Sequence, residues 1–259
     1  MPSKTIVLIH GLFLTYKGWD HWVRYLEDKG YTVIAVPWPG RDKSVAELRK
    51  AHPDPELGKR TLKEVIEHHI KVIDGLDEKP ILIGHSLGGL MTQILLNRGY
   101  GAAGVAIDSG PPQGLLSTKW SFLKSAWPLL NFLNPSSRPY FISFEEFQYA
   151  FVNGQPLEEQ RKAYHDQVVP ESLRIGRGAL TSTAHIDYKK PHAPLLFIAG
   201  ETDHIIPASL NKSNQSKYKD SGSVTDFKEF QGRNHYGLAH TGWQELADYT
   251  LTWIAKQGV

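Results

Sequence analysis

The sequence has no cysteine among its 259 residues. Disulfides, thiolate nucleophiles and cysteine-ligated zinc sites are therefore excluded. It has no marked excess of one charge: Lys+Arg number 29 against Asp+Glu 27, a formal net charge of +2. No long Lys/Arg run is present, so nothing points to a nucleic-acid partner. The longest apolar stretch near the N-terminus, residues 6–14, is broken by His10-Gly11 and is too short to span a membrane. No leader pattern of charged, apolar and small residues precedes the first strand candidate, and a cytoplasmic location is the expectation. There is no internal repeat, no low-complexity stretch and no H-E-x-x-H or similar ligand spacing. Neither a metal nor a cofactor is expected.

Hydrophobic residues make up 41% and charged residues 22%, enough for a sizeable core in one large domain or two small ones. Short apolar runs alternate with helix-like segments. Residues 5–9, 32–36, 81–83, 103–107 and 195–200 are apolar on both faces, which fits buried parallel strands. Residues 224–230 alternate and fit an outer strand. Helices are predicted over 16–29, 62–76, 89–98, 209–219 and 242–256, whereas 41–58, polar and carrying Pro53 and Pro55, reads as a loop. His68-His69 is placed on the polar or interfacial side of its helix and read as solvated. The whole is an α/β chain with a mostly parallel sheet of six strands flanked by helices.

Residues 111–190 break the alternation. They are aromatic and helix-like, with Ser143 and Glu146 spaced as a capping box, and Pro156 and Pro170 before two more helix candidates. The expected organisation is a core from 1–110 and 191–259, and a helical cap over 111–190 inserted after the fourth strand. Such an insertion sits over the C-terminal edge of the strands, where open α/β sheets bind ligands.

The central motif is Gly84-His85-Ser86-Leu87-Gly88, between an apolar strand and a helix. G-x-S-x-G alone recurs by chance, but strand–turn–helix flanks are what a nucleophile elbow requires. A serine needs a general base, and the base needs an orienting acid. Asp203 in Gly200-Glu201-Thr202-Asp203 and His235 in Gly232-Arg233-Asn234-His235 both follow strand ends, at the same sheet edge as Ser86. Asp108, after the strand that follows the elbow, is the alternative acid, and Glu201 is a weaker one. His240 is the alternative base. His85 and His10 are read as packing residues, and Ser109 and Ser143 as loop and cap residues.

Taken together, Val7-Leu8-Ile9-His10-Gly11, Gly84 to Gly88, Gly200-x-x-Asp203-x-Ile205-Ile206-Pro207 and Gly232 to His235 resemble the α/β-hydrolase superfamily along essentially the whole chain. The chain starts at the strand resembling the family's oxyanion strand, so the compact branch is the nearest likeness: small bacterial esterases, lactonases, cofactor-free haloperoxidases and plant methylesterases. The resemblance implies a catalytic triad of Ser86, Asp203 and His235, with an oxyanion hole from the backbone N–H groups of Leu12 and Leu87. Phe13, Trp120, Trp127, Phe147 and Ile205 are the expected substrate-pocket residues. A serine at the elbow argues against the branches that use aspartate there. Tyr236, where a lyase branch would carry lysine, argues against lyase chemistry.

The implied function is hydrolysis of an apolar or aromatic carboxylic ester or lactone through an acyl-enzyme on Ser86. A receptor-like binding protein on the same fold, and lyase or perhydrolase chemistry at the same site, are the alternatives. The expected partners are a small-molecule substrate and, at most, a second copy of the chain as a homodimer.

Overall fold

The computed structural model describes residues 3–220 and 222–259. Its strands are β1 (Thr5–Ile9), β2 (Thr32–Ala35), β3 (Ile81–His85), β4 (Ala103–Ile107), β5 (Pro139–Tyr140), β6 (Glu171–Ser172), β7 (Leu195–Gly200) and β8 (Thr225–Phe230). Six of them form one sheet in the order β2-β1-β3-β4-β7-β8, and every pairing in it is parallel. β5 and β6 form a separate two-residue antiparallel pair. The helices are α1 (Asp20–Asp28), α2 (Val45–Lys50), α3 (Pro55–Lys59), α4 (Leu62–Asp74), α5 (Leu87–Asn97), α6 (Trp120–Leu130), α7 (Phe144–Ala150), α8 (Leu157–Gln167), α9 (Leu173–Arg177), α10 (Ala208–Gln215) and α11 (Gln244–Gln257).

The strands are apolar on both sides because each face is covered. Val7, Ile9, Leu82, Ala106 and Phe197 face one core, shared with Val65 and Ile66 of α4 and Leu90, Met91 and Ile94 of α5. Ile6, Leu8, Ile83, Val105 and Ile198 face the other, with Trp22 and Leu26 of α1 and Trp253 and Ile254 of α11. Side chains alternate between faces along a strand, so neighbouring residues serve opposite layers. Each such Leu, Ile or Val, once buried, contributes about 1.5–3 kcal/mol against exposure.

Two expectations are corrected here. The 41–58 stretch is not a plain loop: it holds α2 and α3. Ser44 and Glu47 cap α2 reciprocally, and Asp54 caps α3 with Pro55 in its first turn. Pro55 starts a helix because its missing N–H is one that a first turn leaves unpaired anyway. His69 is not solvated. It is fully buried on α4, and its Nδ1–H donates to the Val65 carbonyl at 2.8 Å.

Between β4 and β7 lies the helical cap. Ser143 and Glu146 form both bonds of the capping box on α7, and Pro156 precedes α8. Pro170 is followed by the short β6 before α9 begins. Phe147, Phe151 and Ile142 of the cap share a cluster with Phe13 and Leu14 of the loop after β1. Ile175, Ala184 and Ile186 pack into the sheet's own core, so in packing the chain rejoins the core before residue 190.

Candidate active site

Ser86 sits at the tip between β3 and α5 with φ 58° and ψ −120°. A residue other than glycine rarely holds such a conformation, and the surroundings must impose it. Here the Ser86 N–H donates to the Ile107 carbonyl at 2.9 Å, and the Gly110 N–H donates to the Ser86 carbonyl at 2.9 Å. The turn is thus pinned to the end of β4. The flanking glycines are required by contact. A Cβ on Gly84 would stand 2.1 Å from the Gly88 carbonyl oxygen, and one on Gly88 2.1 Å from that of Ile9. A Cβ on Gly11 would stand 2.7 Å from the Ser86 Cβ, so the loop after β1 runs directly against the serine.

That loop carries Leu12, and α5 opens on Leu87. Among the described residues neither backbone N–H donates to another protein group, and both residues line the cavity that contains Ser86. His10 anchors the loop: its Nδ1–H donates to the Gly11 carbonyl at 2.9 Å, and its ring stacks on Trp38 at 4.3 Å.

The loops after β7 and β8 bring Asp203 and His235 together. His235 Nδ1–H donates to Asp203 Oδ2 at 2.6 Å, and both side chains are fully buried. Asp203 Oδ1 accepts the Ile205 and Ile206 N–H groups at 2.7 and 2.8 Å. His85 Nε2–H donates to the His235 carbonyl at 2.7 Å, and the two rings lie 4.7 Å apart. The residue before Ser86 therefore holds the loop of His235. His235 Nε2 is buried without a hydrogen-bond partner, so no bond to Ser86 is formed in this structure. Such bonds are often long before substrate binds and tighten afterwards.

The rival acid is also present. Asp108 is fully buried, accepts the Gly200 N–H at 2.7 Å, and its carboxyl is in hydrogen-bond contact with that of Asp203. Burial pushes both carboxyls up. Asp203 is countered by two backbone N–H groups and by Asp108, whereas Asp108 has one N–H and feels the Asp203 charge. With two backbone N–H groups and the imidazole N–H directed at it, Asp203 is the better placed of the two to hold negative charge, and Asp108, with one, the better placed to hold the pair's proton. The other candidates stand aside. Glu201 accepts the Gly232 N–H at the surface, and His240 lies against Arg233. His85, Asp108 and His235 lie close enough together to approach a metal ion; His85 Nε2 and Asp108 Oδ1 are already bonded to the His235 carbonyl and the Gly200 N–H, while His235 Nε2 has no partner.

Ser86 opens into a cavity of about 110 Å³ whose lining includes Phe13, Phe122, Leu129, Ile142, Phe151 and Ile205. No charged side chain lines it. Phe13 and Ile205 are where the sequence places them. Trp120, Trp127 and Phe147 are not. Trp120 and Trp127 are 74% and 60% exposed on the outer side of α6. Phe147 is fully buried one layer back, stacked on Phe151 at 4.9 Å, and Phe151 meets the His235 ring edge-on at 5.1 Å. The cap residues that do face the cavity, such as Leu129 and Ile142, carry no sequence mark that separates them from their apolar neighbours.

Burial also sets the acid response. It lowers His10 and His235 to about 3, His69 to about 4 and His85 well below its ordinary value. It raises Asp108, Asp203 and Glu171. Between pH 6.5 and about 4 the unfolded chain protonates the imidazoles while the folded one does not, so they make stability fall with falling pH. The raised carboxyls act oppositely, holding protons in the fold that the unfolded chain has released. His21, His192 and His240 are lowered by burial as well, and of the Asp108–Asp203 pair only one carboxyl holds a proton, so the lowered imidazoles outnumber the raised carboxyls and stability is expected to drop on acidification below about pH 6.5. Urea midpoints at pH 7, 6 and 5 check this; a midpoint rising toward acid would contradict the neutral-imidazole picture.

A parallel α/β sheet with a serine at a strained strand–helix elbow, a hydrogen-bonded imidazole–carboxylate pair at the same edge and a cap above defines the class of fold. The model of the alpha/beta hydrolase family matches residues 6–249, and the chain belongs to that family. Comparison with curated protein sequences finds no match. Among solved structures, a monoacylglycerol lipase from Paleococcus ferrophilus is similar with TM-score 0.71 and 19% identity, covering 99% of this chain and 96% of that one. An extracellular alpha/beta-hydrolase from a Paenibacillus species is similar with TM-score 0.71 and 22% identity, over 96% and 98%. Polyneuridine aldehyde esterase is similar with TM-score 0.69 and 19% identity, over 96% and 98%. At these identities the likeness is one of fold.

Proposed function

We propose that this protein is a serine hydrolase that cleaves a carboxylic ester or lactone with an apolar acyl part. The observation that carries the reading is that Ser86 opens on an uncharged apolar cavity, while the His235–Asp203 pair is held by the loop bonded to His85. His235, neutral because burial disfavours its charged form, takes the Ser86 proton on Nε2 as Oγ attacks the carbonyl carbon. Asp203 fixes the proton on Nδ1 and stabilises the imidazolium. The free N–H groups of Leu12 and Leu87 receive the developing oxyanion, each worth about 3–4 kcal/mol of barrier. His235 then gives the proton to the leaving alcohol. Water repeats the sequence on the acyl-enzyme, releasing the acid and restoring Ser86.

The esterase and lipase named among the structural neighbours agree with this chemistry without specifying the substrate. A panel of p-nitrophenyl esters and lactones with short, medium and long acyl chains tests it. Neutral apolar acyl groups are expected to turn over, and a carboxylate in the acyl chain is expected to lower kcat/KM by at least about 100-fold, since the cavity offers it no partner. Stoichiometric labelling of Ser86 by a fluorophosphonate with no turnover across the panel would instead make this a binding protein.

A further inference from the structure

α6 is apolar on two sides. Phe122 turns inward to Ile206 and Leu210, and Ser125, Ala126 and Leu129 line the Ser86 cavity. Trp120, Leu123 and Trp127, spaced i, i+3 and i+7, are exposed on the outer side, and Phe132 and Leu133 follow in the next turn at 71% and 90% exposure. Six of the nine exposed large apolar side chains among the described residues fall between 116 and 133. A helix apolar all round is ordinarily enclosed by protein or by lipid. One left open marks a surface that something else covers.

Three observations say what covers it. Residues 109–144 contain no aspartate or glutamate but contain Lys119, Lys124 and Arg138, all exposed. The aromatic groups include two tryptophans, whose rings suit the boundary between hydrocarbon and water. The apolar turn is also held in place: Arg177 donates to the carbonyls of Leu129, Asn131 and Asn134 and lies 5.0 Å over the Phe132 ring. Cations around an apolar face fit a negatively charged lipid surface. They fit a second copy poorly, because a two-fold contact through this patch would set its cations against each other. Two acids border the same groove: Glu145 is exposed, and Glu146 is half-buried and bonded to Tyr140 and to the α7 cap, so Lys119, Lys124 and Arg138 outnumber the one exposed carboxylate.

We propose that the outer face of α6 and the 131–133 turn dock this protein on an anionic lipid surface. Ser125, Pro128, Leu130 and Ile142 border both the outer groove and the Ser86 cavity, so the docked face adjoins the route to the serine. Docking does not depend on the chemistry proposed at Ser86.

The test is co-sedimentation with vesicles of phosphatidylcholine alone or with about one-third phosphatidylglycerol, at low and high salt. The protein is expected to bind the anionic vesicles and to lose binding as salt rises. Trp120→Ser with Trp127→Ser is expected to lower the partition coefficient about 30-fold. Lys119→Gln with Lys124→Gln is expected to lower it about tenfold on anionic vesicles alone. Thermal unfolding checks each fold, and Phe132→Ser with Leu133→Ser repeats the test on the turn if the tryptophan variant is unstable. Ser86→Ala is expected to bind like wild type, which separates docking from catalysis. The proposal is overturned if wild type stays in the supernatant with both vesicles, or if the apolar variants bind undiminished. A concentration-dependent dimer that Trp120→Ser dissociates, with no vesicle binding, overturns it in favour of a second copy.

Discussion

Ser86→Ala is expected to fold as the parent does and to lose about 10⁴–10⁶ of its ester turnover. The two halves of that expectation have separate causes. Among the described residues the Ser86 hydroxyl holds no hydrogen bond, so its removal leaves no buried partner unsatisfied. The backbone bonds to Ile107 and Gly110 that impose the positive φ remain, and alanine meets the same constraint there as serine. The proposed chemistry, by contrast, loses the atom assigned to form the acyl-enzyme. What survives is the contribution of the Leu12 and Leu87 amides and of the cavity, which align and polarise a carbonyl without attacking it. Steady-state kinetics beside a thermal melt measure both halves. A variant that melts normally and still turns over esters at the parental rate would remove Ser86 from the reaction.

Asp203→Asn is expected to lower kcat by about 10⁴, whereas Asp108→Asn is expected to stay within about tenfold of the parent. The two carboxyls touch, are equally buried and lie at neighbouring strand ends, so the contrast rests on their protons. Asp203 accepts from His235, Ile205 and Ile206; an amide there would turn an N–H toward Nδ1 and move the imidazole proton to the nitrogen that must serve as base. Asp108, with fewer donors aimed at it, is assigned the pair's proton and the donor's part toward Asp203, a part an asparagine amide can take over. kcat and the pH profile of both variants measure this. Equal losses would mean that the charge is shared by the pair, and a reversed order would assign the acid to Asp108.

The sheet was readable because its strands are buried on both faces and so stand out as continuous apolar runs. The elbow was readable because three glycines are forced by contacts under 3 Å, which leaves the sequence little freedom there. Asp203 and Asp108 appeared as alternatives, since spacing can place two acids at one sheet edge but cannot say that they meet. The cap was legible as helical and illegible in its faces. α6 is apolar on both sides, and periodicity gives no direction when there is no polar side to exclude; hence Trp120 and Trp127 fell outside the cavity. Phe147 failed for a different reason: it supports Phe151, and depth behind a lining residue leaves no trace in spacing. α2 and α3 are hidden by the polar composition of their stretch and by Pro53 and Pro55 in it, although Ser44 and Glu47 carry the same capping pattern that marks α7.

β4 and β7 are register partners, Gly104 opposite Leu195, although residues 108–194 lie between them. The entropic cost of closing a loop grows only as the logarithm of its length, so this excursion adds about 2 kcal/mol over the shortest parallel crossover of about a dozen residues. The strands that place Ser86, Asp203 and His235 therefore tolerate large changes in what is threaded between them. The three residues of the proposed triad all lie outside this excursion while most of the cavity lining lies within it, so the excursion can be lengthened, shortened or exchanged at modest thermodynamic cost while the strands stay in register.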